Sequence, residues 1–249
     1  MLPRRLVLAI FLLAVLGLTA RISTTDTVLI ASGSAWKYHD RGANLGTTWR
    51  TRSYVDSAWA AGSAQLGYGD GDEATVVRYG PNSAAKYITT YFRQTFSVAD
   101  PALVQSLTLK VLRDDGAVVY LNGTEVFRTN MPTGTIAYNT LAPMATADAD
   151  ETTHYTASID PALLTAGANV LAVEVHQANG SSSDVSFDAE LIASTNLQIT
   201  RRNSLHWMAI EFSSRIRWNL LSIQRLEKAT DVRLTSIVSN ASLPRENHG

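Results

Sequence analysis

Between Arg113 and Pro132 the chain reads RDDGAVVYLNGTEVFRTNMP. Val118, Tyr120 and Val126 suit a pleated, half-buried surface. Asn122-Gly123 between them is the dipeptide that accepts positive φ at a two-residue turn. The stretch therefore predicts a β-hairpin that holds a short turn up to solvent.

Other short strands surround it. Thr27–Ser32 is a β-branched and apolar run. Tyr87–Val98 (YITTYFRQTFSV) is rich in Thr, Tyr, Phe and Val. Leu107, Leu109 and Val111 alternate with Thr108, Lys110 and Leu112, the period of a half-buried strand. Thr152–Ile159 is a further strand, Pro161–Leu164 one helical turn that Gly167 ends, and Ser186–Ile192 a last strand. In Asn169–His176 (NVLAVEVH), Leu171, Val173 and Val175 share one face, and Val170, Ala172, Glu174 and His176 the other. Ser34–Trp59, with Trp36, Trp49 and Trp59, reads as loops folded over a core edge. Leu66–Gly80 holds a loop rich in Gly and Asp. Many short strands with turn residues between them predict an all-β sandwich in a single domain over residues 23–199.

Charge is segregated along the chain. From Ser23 to Ile199 there are 10 Lys+Arg against 18 Asp+Glu, a net of −8; from Thr200 to Gly249 there are 8 against 4, a net of +4. An acidic body argues against nucleic acid as a partner, since phosphate binding needs clustered Lys and Arg. With no cysteine in the chain, disulfides, thiol chemistry and Cys-based zinc sites are excluded.

Arg4 and Arg5 precede an unbroken apolar or glycine run from Leu6 to Leu18, and Leu18-Thr19-Ala20 offers a small residue before a cut. That is the pattern of a secretory signal over residues 1–20. The run is short of the roughly 20 residues a membrane span needs, so no stable span is expected once the signal is cleaved. At the other end, Leu205, Met208, Phe212, Ile216, Leu220 and Ile223 fall at helical steps, which predicts a short C-terminal helix in a basic tail over 200–249.

Several motifs, in this order, resemble the galactose-binding-like jelly roll found in secreted bacterial proteins and as the sugar-binding domain of β-galactosidases and β-glucuronidases. They are Trp49-Arg50, Asp56-Ser57-Ala58-Trp59, Tyr91-Phe92-Arg93 with Thr95-Phe96, the DDGAVVYLNG stretch Asp114–Gly123, NVLAVEV at Asn169–Val175, and SFDAEL at Ser186–Leu191. The resemblance runs from about Thr27 to Ala193. It implies a sandwich of eight or nine strands, usually appended to an exported hydrolase, in which Trp59 packs inward. It stops near Ala193, and the charge reversal beyond motivates the expectation of a truncated or frameshifted end, which a genome read across codon 200 tests.

Chemistry-bearing motifs are sparse. Neither a Gly-x-Ser-x-Gly elbow nor a His-Glu-x-x-His helix is present. Asp70, Asp72 and Glu73 offer carboxylate oxygens on a loop that Gly69 and Gly71 let curl, a partial calcium shell or a solvated acidic turn. Asp114-Asp115-Gly116 locally resembles the Asp-Asp-Gly of PA14-type lectins, in which two aspartates hold calcium against sugar; a polar turn before a strand is the competing reading. Glu174 and His176 can line a concave sheet face and bond a ligand, or pair with neighbouring strands. Trp36 is the tryptophan left free to stack on a sugar ring. The reading that results is a secreted, non-catalytic accessory module that binds carbohydrate at Trp36, Glu174 and His176. No cofactor is required, and Ca2+ is a candidate at Asp114, Asp115, Asp70, Asp72 and Glu73. The alternatives are a structural spacer or docking domain for a catalytic domain or another secreted protein, as in a larger exported glycosidase or phosphoesterase, and a hydrolase with an unrecognised site.

Overall fold

A computed structural model describes residues 23–197. The strands are β1 (Ser23–Ile30), β2 (Ala35–His39), β3 (Ala60–Ser63), β4 (Leu66–Tyr68), β5 (Thr75–Val76), β6 (Thr89–Val98), β7 (Val104–Asp114), β8 (Gly116–Leu121), β9 (Thr124–Thr129), β10 (Tyr155–Ile159), β11 (Gly167–His176) and β12 (Val185–Leu197). They form two six-stranded sheets. The first runs β10-β7-β12-β4-β5, with β1 also paired to β12; the second runs β3-β2-β6-β11-β8-β9. The chain is an all-β sandwich with four short 3-10 turns among the described residues. No described helix is long and apolar enough to cross a membrane.

Alternation explains the layering. Leu171, Val173 and Val175 of β11 face Phe92 and Phe96 of β6, Leu109 and Val111 of β7, and Phe187 and Leu191 of β12 in the core between the sheets. Phe187 stacks on Phe92 at 4.2 Å and takes the edge of Trp36 at 4.9 Å. Each such side chain contributes about 1.5–3 kcal/mol when fully buried. The opposite face of the second sheet is also covered. Tyr91, Val118, Tyr120, Val170 and Ala172 pack under Trp49 and Ile136, with Leu45, Tyr54, Trp59 and Met131 around them. The Trp-bearing segment after β2 therefore forms a third layer outside the second sheet.

Several expectations need correction. The resemblance implied eight or nine strands, and twelve are present among the described residues. The extra ones are short: AAGS, LGY and TV have too few residues to show a period. Trp36 belongs to β2, not to a loop. The predicted hairpin is present as β8 paired antiparallel with β9, but it opens only at Gly116, because β7 ends at Asp114 in the first sheet and β8 begins in the second. Its Asn122-Gly123 turn does have φ of 54° and 96°. It does not stand up to solvent, however, because Asn122 Nδ2 donates to the Leu163 carbonyl at 2.9 Å and to Asn169 Oδ1 at 2.8 Å. The expected signal sequence, C-terminal helix and basic tail lie outside the described residues.

Candidate functional site

Strand register assembles the outer face of the second sheet. His39, Tyr91, Glu174 and Val118 fall in one row across β2, β6, β11 and β8; Lys37, Arg93, Ala172 and Tyr120 form the next. Arg93 is 2% exposed and anchors the covering loop. Its Nε donates to Asp56 Oδ2 at 2.9 Å, and its Nη1 donates to the Trp49 carbonyl and, at 3.2 Å, to that of Thr51. Lys37 Nζ reaches Asp56 Oδ1 at 2.9 Å. Burial acts to raise the Asp56 pKa, but the hydrogen bonds and charges of Lys37 and Arg93 outweigh it and hold the carboxyl below its ordinary value.

Glu174 and His176, read from the sequence as ligand contacts, are 2% and 0% exposed. Tyr120 Oη donates to Glu174 Oε1 at 2.6 Å, and an Arg50 Nη lies 3.6 Å from the same oxygen. Burial first, then the Glu174 charge, raises the Tyr120 pKa, so the phenol stays a donor. His176 Nδ1 lies 2.8 Å from the Thr140 carbonyl, which can only accept, so this nitrogen bears a proton. Both residues tie strand to loop and present nothing to solvent. Trp36 is likewise 1% exposed, inside the core between the sheets. The parity of AWKYH puts Trp36 on the face of Tyr38 and opposite Lys37 and His39, a signal present in the sequence.

Other residues line an opening to solvent, with Asp40 among them only 6% exposed. An open cleft of about 70 Å³ is lined by His39, Asp40, Arg41, Trp59 and Arg78, with Tyr38, Ala58 and Ala60. Trp59 is half-buried and held by aromatic neighbours: Trp49 stacks on it at 6.5 Å, and Tyr54 and His39 meet it at 5.9 and 5.5 Å. The Trp59 backbone N–H also donates to the Asp56 carbonyl at 3.1 Å, so the Arg93 anchor holds the backbone from which the ring projects. Burial, then the Arg41 charge, lowers the His39 pKa and favours the neutral ring. Asp40 Oδ2 accepts from the Arg78 backbone N–H at 2.8 Å, which ties β2 to the loop after β5. The inward packing expected for Trp59 is only half realised.

The aspartates and glutamate read as metal ligands divide into three fates. Asp70, Asp72 and Glu73 do stand together, one carboxylate oxygen of each within 4.8 Å of the others. Glu73 also closes the loop by accepting the N–H groups of Asp70 and Gly71, both at 3.0 Å, and exposed Asp72 accepts from Gln65 Nε2 at 3.3 Å. Asp115 holds loops: it accepts the N–H of Thr146 at 2.7 Å and of Ala178 at 2.6 Å. Its carboxyl also stays beside that of Asp114, so the pair remains together while Asp115 ties the loops. Asp114 further faces two residues that the sequence does not single out, Glu151 and Asp184; one carboxylate oxygen from each of the three lies within 4.8 Å of the others. Burial, then the adjacent Asp115 carboxyl, pushes the Asp114 pKa up to about 9. Burial, then the Asp184 charge, pushes neighbouring Asp70 up to about 6.

No protein-family model and no curated protein matches the chain. Solved structures overlap it loosely. A β-glucuronidase from glycoside hydrolase family 2 is 15% identical, over 71% of this chain and 18% of that one, with a TM-score of 0.44. A β-glucuronidase from an uncultured Clostridium sp. is 14% identical, over 70% and 29%, at 0.41. A β-glycosidase from Bacteroides vulgatus is 16% identical, over 69% and 20%, at 0.39. The chain spans less than a third of each of these proteins. Overlap this loose assigns neither a family nor a ligand.

Proposed function

We propose that the protein is a secreted, non-catalytic accessory module that binds carbohydrate at the cleft around Trp59. The observation that carries this reading is a partly exposed indole, fixed by three aromatic neighbours, beside the polar groups of His39, Asp40, Arg41 and Arg78. An aromatic face covers the apolar side of a sugar ring, and carboxylate and guanidinium groups bond its hydroxyls. At about 70 Å³ the cleft is far below the roughly 300 Å³ at which deep ligand sites begin, so it seats one edge of a glycan and not an enclosed molecule. A non-catalytic role is supported by buried Arg93 and Glu174 and half-buried Asp56, whose hydrogen bonds and ion pairs run to other residues of the chain. Export is supported by the Arg4–Ala20 pattern.

Glycan-array screening followed by tryptophan fluorescence titration tests the proposal. Saccharide binding by the full chain is expected, with Trp59→Ala weakening it at least tenfold and the circular dichroism spectrum preserved. Absence of binding to every glycan, or full binding by both Trp59→Ala and Arg78→Ala, would sink the reading.

A further inference from the structure

We propose that Asp114, Glu151 and Asp184 form a binding site for one calcium ion, separate from the Trp59 cleft. Asp114 ends β7 opposite Ser186 of β12. Asp184 sits one residue before β12, and Gln177 Nε2 donates to its carbonyl at 2.8 Å. Glu151 follows the 3-10 turn Asp148–Asp150. Three separate segments thus converge at one end of the first sheet.

Proximity of carboxylates alone does not make a site. The independent observation is Asp114 itself. It is 1% exposed, and both its carboxylate oxygens are buried with no hydrogen-bond donor among the described residues. A carboxylate out of water and without a donor costs several kcal/mol unless something positive meets it. Arg113, next in sequence, points elsewhere, to Thr146 and Asp150. Lys86 donates to the Ser182 and Ser183 carbonyls, not to a carboxylate of the cluster. What faces the Asp114 carboxylate is therefore more carboxylate.

The donor type selects the ion. Calcium bonds oxygen at about 2.3–2.6 Å, so two ligands on opposite sides of it stand up to roughly 5 Å apart, and the three oxygens lie within 4.8 Å of one another, inside that reach. Magnesium demands near-ideal octahedral geometry and keeps several waters, so a shell of three protein carboxylates suits calcium better. All three donors are carboxylates, which disfavours softer metals that seek nitrogen or sulfur. Bidentate contacts give six oxygens, the lower end of the calcium range. The ion would bind the 146–153 and 177–184 loops to the sheet end, so its role is to fix structure.

Isothermal titration of the full chain with calcium chloride, and thermal melts in EDTA, calcium or magnesium, decide the matter. One calcium per chain is expected, with a melting temperature several degrees higher in calcium than in EDTA and a smaller rise in magnesium, because binding only the folded state must stabilise it. Asp184→Asn and Glu151→Gln are each expected to weaken calcium binding at least tenfold. In EDTA both variants are expected to melt no lower than the parent, since each removes a repelling charge. Should Asp184→Asn fail to fold, Glu151→Gln, on a half-buried loop position, carries the same test. The proposal falls if the parent binds no calcium, which leaves a protonated Asp114 as the means of neutralising the cluster. It also falls if binding survives both variants and is lost in Asp72→Asn, which moves the ion to the exposed loop.

Discussion

Asp56 joins two buried or half-buried cations to the loop that carries Trp59. Its carboxylate takes Lys37 at 2.9 Å on one oxygen and Arg93 at 2.9 Å on the other. Removing its charge leaves Arg93, 2% exposed, with no anionic partner, facing the carbonyls of Trp49 and Thr51 and the Tyr54 ring. The pH dependence follows from the direction of the shift. Folding lowers the Asp56 pKa below its ordinary 3.8. Its contribution is therefore complete above that value and is lost as the pH falls through the lower, folded-state pKa. Trp49 and Trp59 are the reporters: acid below about pH 3.8 is expected to red-shift tryptophan emission before the far-ultraviolet circular dichroism signal of the sheets declines. Asp56→Asn is expected to show the shifted emission already at neutral pH and little further change on acidification. Coincident loss of both signals in the parent would count against a local role for Asp56.

At the scale of elements, the turn between β8 and β9 shows how a local signal becomes a tertiary one. Gly123 has φ of 96°, which a side chain would strain, and Asn122 tolerates its φ of 54°. Glycine at 122 would accept that backbone equally well. What asparagine adds is its amide, which donates to the Leu163 carbonyl and Asn169 Oδ1 and accepts from the Val170 N–H at 3.0 Å. Asn122→Gly is thus expected to keep the turn yet cost about 1–3 kcal/mol in urea unfolding, since each hydrogen bond contributes a net of about 0.5–1.5 kcal/mol. A cost near zero would mean that the turn chemistry alone fixes the hairpin. The same element marks what the sequence could convey. Alternation in Asn169–His176 revealed both faces of β11, because a strand paired on both sides must commit each residue to one face. The Asn122-Gly123 turn was legible for its backbone but not for its burial, which depends on the distant Leu163 and Asn169. Likewise Asp114-Asp115 was legible as an acidic pair. Its division of roles, one loop tie and one carboxylate without a donor, depends on Thr146, Ala178, Glu151 and Asp184, which only the fold brings near. Trp36 and Trp59 exchange in burial, the first 1% exposed and the second half-buried, because composition counts tryptophans without their strand parity.

On the scale of the whole molecule, the second sheet divides two apolar layers of unequal size. The layer between the sheets is continuous through β6, β7, β11 and β12, and Phe187 stands in it fully buried against Phe92 and Trp36. The outer layer is smaller, closed by loops, and centred on Trp49, which is also fully buried and meets Tyr91 at 4.8 Å and Tyr120 at 5.9 Å. Loop-closed layers open with less free energy than paired strands, because fewer backbone hydrogen bonds must break together. Phe187→Ala removes a ring that touches both sheets, so it is expected to cost about 3–5 kcal/mol and to accelerate amide exchange in β6, β7, β11 and β12 alike. Trp49→Ala deletes a side chain of comparable burial, yet its effect should concentrate in residues 41–59, where the covering loop is held by packing and by a few side-chain ties from Lys37, Arg50 and Arg93. Exchange followed by mass spectrometry separates the two. If Trp49→Ala accelerated exchange in β7 and β12 as much as in 41–59, the outer layer would be part of one cooperative unit. Trp59 would then owe its position to the global fold and not to the Asp56–Arg93 anchor beneath it.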